Sequence, residues 1–241
     1  AGLYPCDENG ALIPDADGRY VPLPGPDFRD ETQAVTLTNT TDAPAVLCAF
    51  VEKRLYEGTH CIHNVFMAQR YIDPTNRDAV AAFLRNTYDR YYEAVPGHMT
   101  AGAGALTPTP GKIEAFFTDE PSFMGCYINA GLWPGRTRDP YDVEIPLYPV
   151  LSFGRDAENQ FTSRYGYDLR SSLCALFLGD TDYAKSVRMD YYRLMSDLYE
   201  DSFFAQIGDW CALADGAFDL QYSPLLEWRV GDGSITFCQF D

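Results

Sequence analysis

Two adjacent carboxylates, Asp119 and Glu120, stand between an apolar run and a proline: Ile113-Glu114-Ala115-Phe116-Phe117, then Thr118-Asp119-Glu120-Pro121. The run reads as a compact strand, and Pro121 cannot continue a ladder, so the chain turns away just after the carboxylates. A glutamate presented at such a strand end suits general acid/base work. Burial beside Phe116, Phe123 or Trp133 raises its pKa and keeps a proton available near neutrality. The competing reading is a solvated turn with an aspartate cap and an incidental glutamate. His60-Cys61-Ile62-His63 invites a metal reading, but histidines at i and i+3 on a strand or loop diverge and no third ligand is evident. Neither a metal nor a cofactor is expected. His98, after Pro96-Gly97, lines the site or simply sits in a loop. Cys126 lies near Glu120, though a thiol nucleophile wants a histidine beside it. No GxSxG elbow, P-loop or GxGxxG occurs, so elbow-hydrolase, nucleotide and dinucleotide chemistries lack their anchors.

The elements that position these residues alternate strand and helix. Residues 1–45 are rich in Pro, Gly, Asp and Thr and read as irregular chain with at most short strands. Ala45–Val51 reads as a buried strand, and Val65–Ile72 as a second short one. Asp73 is the expected cap of the next helix, with Pro74 in its first turn. Val80, Phe83, Leu84, Tyr88 and Tyr91 form its apolar stripe, and Pro96-Gly97 its end. After the 113–117 strand comes a long aromatic loop over 122–149. A short helix then ends near Tyr165-Gly166, and Asp168 caps another carrying Leu169, Leu173, Leu176 and Phe177. A long amphipathic helix follows from about Asp182 to Leu213, with Val187, Tyr191, Leu194, Leu198, Phe204, Ile207 and Trp210 on its apolar face. No internal repeat is read. The expected fold is α/β: a partial or shortened (β/α)8 TIM-type barrel with a helix-rich second half. About three βα units are visible, where a closed barrel takes roughly 250 residues. The expected division is an irregular segment at 1–45, a partial barrel carrying the candidate site at 46–215, and a strand pair at 216–241.

Composition narrows the partners. The 241 residues carry 35 acidic against 18 basic side chains, a formal charge of −17. With no basic excess to release counterions, a nucleic-acid backbone is not an expected partner, and neither is an anionic membrane surface. Hydrophobic residues at 46% and aromatics at 15% provide for a packed core and exclude disorder. No apolar run approaches the roughly 18 residues of a membrane span. The seven cysteines are odd in number, scattered and without a CxxC. They read as a reduced, mostly buried set in a cytoplasmic protein rather than a disulfide framework. The chain opens on Ala1 and stops directly after the strand-like run Ser234–Phe240, so it reads as incomplete.

Lys112–Phe123, KIEAFFTDEPSF, resembles the strand-four segment of TIM-barrel glycoside hydrolases, where an Asn-Glu or Asp-Glu pair before proline supplies the acid/base. YIDPTNRDAVAAFLRNTYDRYY (71–92) resembles the preceding strand end and helix in glycosidases related to the α-L-rhamnosidase and β-galactosidase groups. RYGYDLRSSLCALF (164–177) and VRMDYYRLMSDLYEDSFFAQIGDWC (187–211) resemble the helical region after it, and LYPCDENG (3–10) an earlier strand end. SPLLEWRVGDGSITFCQFD (223–241) resembles a strand pair of an accessory domain, which makes Glu227 structural. The resemblance implies a glycosidase acting on a carbohydrate, with Glu120 as proton donor and Asp119 orienting it or holding a sugar hydroxyl. Trp133, in Gly131-Leu132-Trp133-Pro134-Gly135, then stacks on a sugar ring, its face against the ring's C–H groups, or packs within its loop. Phe123 and His98 are the further substrate contacts. Such enzymes need a second carboxylate, for which Asp7, Glu8, Glu52 and Asp73 are the candidates. Two rivals stay open: a non-catalytic carbohydrate-binding or assembly protein on the same scaffold, and a metal-dependent hydrolase built from Asp119, Glu120 and His60 or His63.

Overall fold

A computed structural model describes residues 1–25, 34–52, 72–95, 148–149, 151–154 and 156–213. The chain forms two compact units, one from Ala1–Arg54 with Asp156–Leu194, the other from Leu55–Arg155 with Met195–Asp241. The strands expected at 65–72 and 113–117, on which the barrel reading rests, lie outside the described residues except for Ile72. So does the segment 216–241.

In the first unit, the proline- and glycine-rich start is built from one turn used twice. Asp7 Oδ1 accepts from the N–H of Asn9 (2.9 Å) and Ala11 (2.8 Å), and Asp15 Oδ1 accepts from Asp17 and Arg19 (both 2.9 Å). Each aspartate thus ties down its own turn, the local side-chain bonding that favours Asp in turns. Gly10 (φ 82°) and Gly18 (φ 79°) take the left-handed position that closes each one. The two blocks, DENGALIP and DADGRYVP, follow one another directly with Asp, Gly and Pro in register. This short repeat was missed because only three of its eight positions keep the same residue.

Strand β1 (Gly2–Pro5) pairs antiparallel with β2 (Ala45–Cys48), in the register Gly2↔Cys48, Leu3↔Leu47, Tyr4↔Val46. Directly opposed residues share a face of a sheet. Gly2, Tyr4, Val46 and Cys48 therefore occupy one face, with Tyr4 buried, and Leu3 and Leu47 the other, where Leu47 is exposed. Ala45–Val51 was expected as a buried strand; instead β2 is half-buried and ends at Cys48, as one layer of a two-stranded sheet does.

Helix α3 (Ala157–Tyr165) stops where expected, at Gly166, whose φ of 78° suits a glycine at a helix end. Asp168 then receives the N–H groups of Arg170 (3.2 Å) and Ser171 (3.0 Å). It caps a 3₁₀ turn (Arg170–Ser172) leading into α4 (Leu173–Phe177). Thr181 caps α5 (Asp182–Tyr199), accepting from Ala184 N–H at 3.1 Å while donating to Gly18 C=O at 2.9 Å. One hydroxyl thereby fixes both the helix start and the second aspartate turn. Arg188 reaches back to the carbonyls of Ala175 (2.7 Å) and Gly179 (3.1 Å), satisfying acceptors that the end of α4 leaves open. The core of this unit is Tyr4, Cys6, Tyr20, Phe161, Leu169, Cys174, Leu176, Val187, Tyr191 and Leu194.

In the second unit, α1 spans Arg77–Asn86 and α2 Tyr88–Ala94. The cap is Asn76, whose Oδ1 accepts from Ala79 N–H at 3.0 Å, and not Asp73. Asp73 instead accepts from Thr75 N–H (2.9 Å) and Thr75 Oγ1 (2.6 Å), closing a turn one step earlier. The helix breaks at Thr87, whose hydroxyl donates to Phe83 C=O at 2.6 Å. Tyr91, expected in the stripe, is 63% exposed, because the break rotates α2 relative to the pattern of α1.

Val80, Leu84 and Tyr88 pack with Tyr199, Phe203 and Ile207 into one core, flanked by Ile72, Phe83, Tyr92, Phe204 and Trp210. Helical backbone continues from α5 through a π turn (Glu200–Phe204) into α6 (Ala205–Leu213). The buried positions Met195, Tyr199, Phe203 and Ile207 advance by four, faster than the 3.6 residues of an α turn. The wider π turn absorbs that drift. Leu198 and Phe204 were expected in the stripe and are half-buried neighbours of it instead. The π turn is bonded to the start of α1: Ser202 Oγ donates to Thr75 C=O (3.0 Å), Arg77 to Asp201 C=O (3.1 Å), and Gln206 to Arg77 C=O (3.0 Å). Among the described residues no helix is long and apolar enough to cross a membrane.

Candidate functional site

Asp119, Glu120, Phe123, Trp133 and His98 lie outside the described residues, as do His60, His63 and Cys126. The four candidates for a second carboxylate are all described. Asp7 and Asp73 spend an oxygen on their own turns, through the bonds given above, which is the work of turn formers. Glu8 and Glu52 are exposed side chains. Asp7, Glu8 and Glu52 belong to the first unit and Asp73 to the second. Among the described residues, no group of three or more His, Cys, Asp or Glu side chains is placed to hold a metal ion.

Two polar clusters do form, and spacing along the chain did not announce either. In the first, Tyr167 donates to Asp190 Oδ2 at 2.9 Å, and Ser172 Oγ meets the Tyr183 hydroxyl at 2.9 Å. Burial, then the bond to the Asp190 carboxylate, pushes the Tyr167 hydroxyl well above its ordinary range. A phenol so held is a fixed donor and no base. Nearby, Arg170 and Glu158 form a two-pronged ion pair, which holds the guanidinium charged.

The second cluster is sulfur. It groups Tyr4, on the inner face of the β1–β2 pair, with Cys174 and Cys48, and burial there pushes the Tyr4 hydroxyl well above its ordinary range. Burial, reinforced by Cys48, pushes the Cys174 thiol up, so at neutral pH it stays protonated and is no nucleophile as it stands. Cys6, Cys48 and Cys174 are all free. The neighbouring ring contact of Phe50 with Phe177, at 5.7 Å between centroids, shows the chain beyond β2 running alongside α4.

No family model, no curated protein and no solved structure matches the chain. Its chemistry is therefore argued from its own residues. What sequence reading missed is the grouping of Tyr4 with Cys48 and Cys174, since Cys48 and Cys174 stand in opposite halves of the sequence. Its one legible trace is a cysteine inside an apolar strand run and another inside an apolar helix.

Proposed function

We propose that this protein is glycoside hydrolase-like, cleaving a glycosidic bond by carboxylate general acid/base catalysis in a partial (β/α)8 barrel. The observation that carries the reading is the order, along the sequence, of an apolar run, Asp119-Glu120 and Pro121, with the aromatic residues Phe116, Phe117 and Phe123 within a few positions. Such surroundings favour a protonated glutamate, as an acid that must protonate a leaving oxygen requires. Glu120 is the proton donor and Asp119 its positioning partner, with Trp133, Phe123 and His98 contacting the sugar. No metal or cofactor enters the reaction, and the reduced cysteine set goes with a cytoplasmic setting. The separation of Glu120 from its partner carboxylate sets the stereochemistry: about 5 to 5.5 Å for retention, about 6.5 to 9.5 Å for inversion.

A second reading, a carbohydrate-binding or assembly protein without turnover, draws support from Asp7 and Asp73, whose carboxylates are occupied in turns rather than poised for catalysis. A panel of aryl glycosides separates the two. The hydrolase reading expects one member to be cleaved, with Glu120→Gln lowering the rate by about 10²- to 10⁴-fold on a substrate with a poor leaving group. Unchanged turnover in Glu120→Gln removes Glu120 from the mechanism. Sugar binding that survives the substitution, with no turnover by the wild type, assigns the protein to the second reading.

A further inference from the structure

We propose that Asn9 is a site of spontaneous modification, its side-chain amide hydrolysed through a cyclic imide with the Gly10 nitrogen. The fold leaves this turn open to the reaction and closes its twin, at Asp17-Gly18, against it. Asparagine side chains are among the heat-labile groups of proteins. A following glycine exposes the attacking nitrogen, since no Cβ stands in the way. The two aspartate turns carry such a pair at the same place, Asn9-Gly10 and Asp17-Gly18. Their internal bonding is alike: the Gly10 N–H donates to Asp7 C=O and the Gly18 N–H to Asp15 C=O, both at 3.0 Å. In either turn the nitrogen is occupied, so the reaction waits for the turn to open.

The surroundings separate the two. Gly10 is exposed, and a Cβ built there would meet no described atom within 4 Å. Gly18 is half-buried, with Thr181 and Tyr183 each 3.5 Å from where its Cβ would stand. Its carbonyl accepts from the Thr181 hydroxyl at 2.9 Å, and the Arg19 guanidinium lies over the Tyr183 ring, 5.9 Å from the centroid. The second turn is thereby fastened to α5, whereas the bonds of the first lie within residues 7–11. When the first opens, the Gly10 nitrogen gives its proton to solvent base and bonds to the Asn9 side-chain carbonyl carbon. The C–N bond of the side-chain amide breaks, and its nitrogen takes up a proton and leaves as ammonia. Water then adds to one imide carbonyl and breaks one ring C–N bond. One direction gives aspartate at position 9, the residue type the second turn carries there. The other gives an isoaspartyl link, with the side-chain carbon inserted into the main chain. One water is taken up, one ammonia is released and one negative charge is gained.

The test incubates the full, folded chain in mildly alkaline buffer. Peptide mass spectrometry follows conversion of amide to acid, and chromatography separates the isoaspartyl form. Wild type is expected to accumulate both products at position 9. Asp17→Asn places the same chemical pair in both turns, so a single chain compares them. Position 9 is expected to convert about fivefold faster than position 17, the effect of one added hydrogen bond on opening. Unfolding in guanidinium is expected to close that gap. Because the wild-type arm needs no variant, a substitution that fails to fold does not blunt the experiment. An Asn9 that stays intact in the folded wild type while the unfolded chain converts, or equal rates at the two positions in folded Asp17→Asn, overturns the proposal.

Discussion

Cys174 and the hydroxyls of Tyr4 and Tyr167 share a property that reaches beyond their own contacts: the fold holds all three protonated above their ordinary ranges. Burial is the largest cause in each case, followed by an anionic or titratable neighbour. Groups raised in the folded state contribute stability that is complete below their unfolded pKa and is lost as pH climbs toward the folded value. For Cys174 the ordinary value is 9.0 and the folded one about 12. The melting temperature is therefore expected to hold steady up to about pH 9 and to fall across pH 9 to 12. Cys174→Ala should flatten the first part of that decline, leaving the tyrosines to act above pH 10. Calorimetry across the range reads this directly, and an unchanged slope in Cys174→Ala would assign the alkaline loss to other groups. At this scale the sequence was partly legible. Asp168 announced itself as a cap by preceding an apolar helical pattern, whereas Tyr167 and Asp190 are partners only through tertiary packing.

Helices were the most readable elements, for a physical reason. Gly166 and the apolar spacing of 182–213 are local signals, and local signals survive in a single sequence. The errors fall where two local signals compete. Asp73 and Asn76 are both good capping residues three positions apart, and Pro74 favoured the first. The structure gives the helix to Asn76, while Asp73 closes the turn before it. Asn76→Ala is expected to cost about 1 kcal/mol, the usual loss on removing a capping side chain. A capping reading of Asp73 instead predicts that Asp73→Ala weakens the amide protection of Ala79. Hydrogen exchange at that amide, compared in the two variants, decides between them. The strand calculus was harder, because β1 and β2 are four residues each and paired across more than thirty intervening positions. No periodicity spans so short a segment. The π turn at 200–204 left a trace only in hindsight, as buried positions advancing by four.

The charge of −17 acts on the molecule as a whole. Described ion pairs such as Lys185 with Asp180 (3.3 Å) and Arg19 with Asp17 (3.5 Å) are exposed and contribute little each. Most of the acidic excess is thus left to repel itself, which favours expansion. Raising sodium chloride from low concentration to about 0.15 M, where the Debye length is about 8 Å, is expected to raise the melting temperature. A melting temperature that falls with salt would show that attractive pairs outweigh the net repulsion.

The first unit is discontinuous: residues up to Arg54 pack with Asp156–Leu194, and roughly a hundred residues come between. Made on a ribosome at about 5 to 20 residues per second, the early piece waits about 5 to 20 s for the first residues of its other half. Its first aspartate turn closes on its own backbone in that interval, whereas the second gains its bond from Thr181 only later. Tyr4, Tyr20 and Cys48 do need their later neighbours, and they remain an open apolar surface until α4 and α5 emerge. The same chain order that buries Tyr4, Tyr20 and Cys174 in one unit therefore creates a window during synthesis in which a chaperone has something to hold.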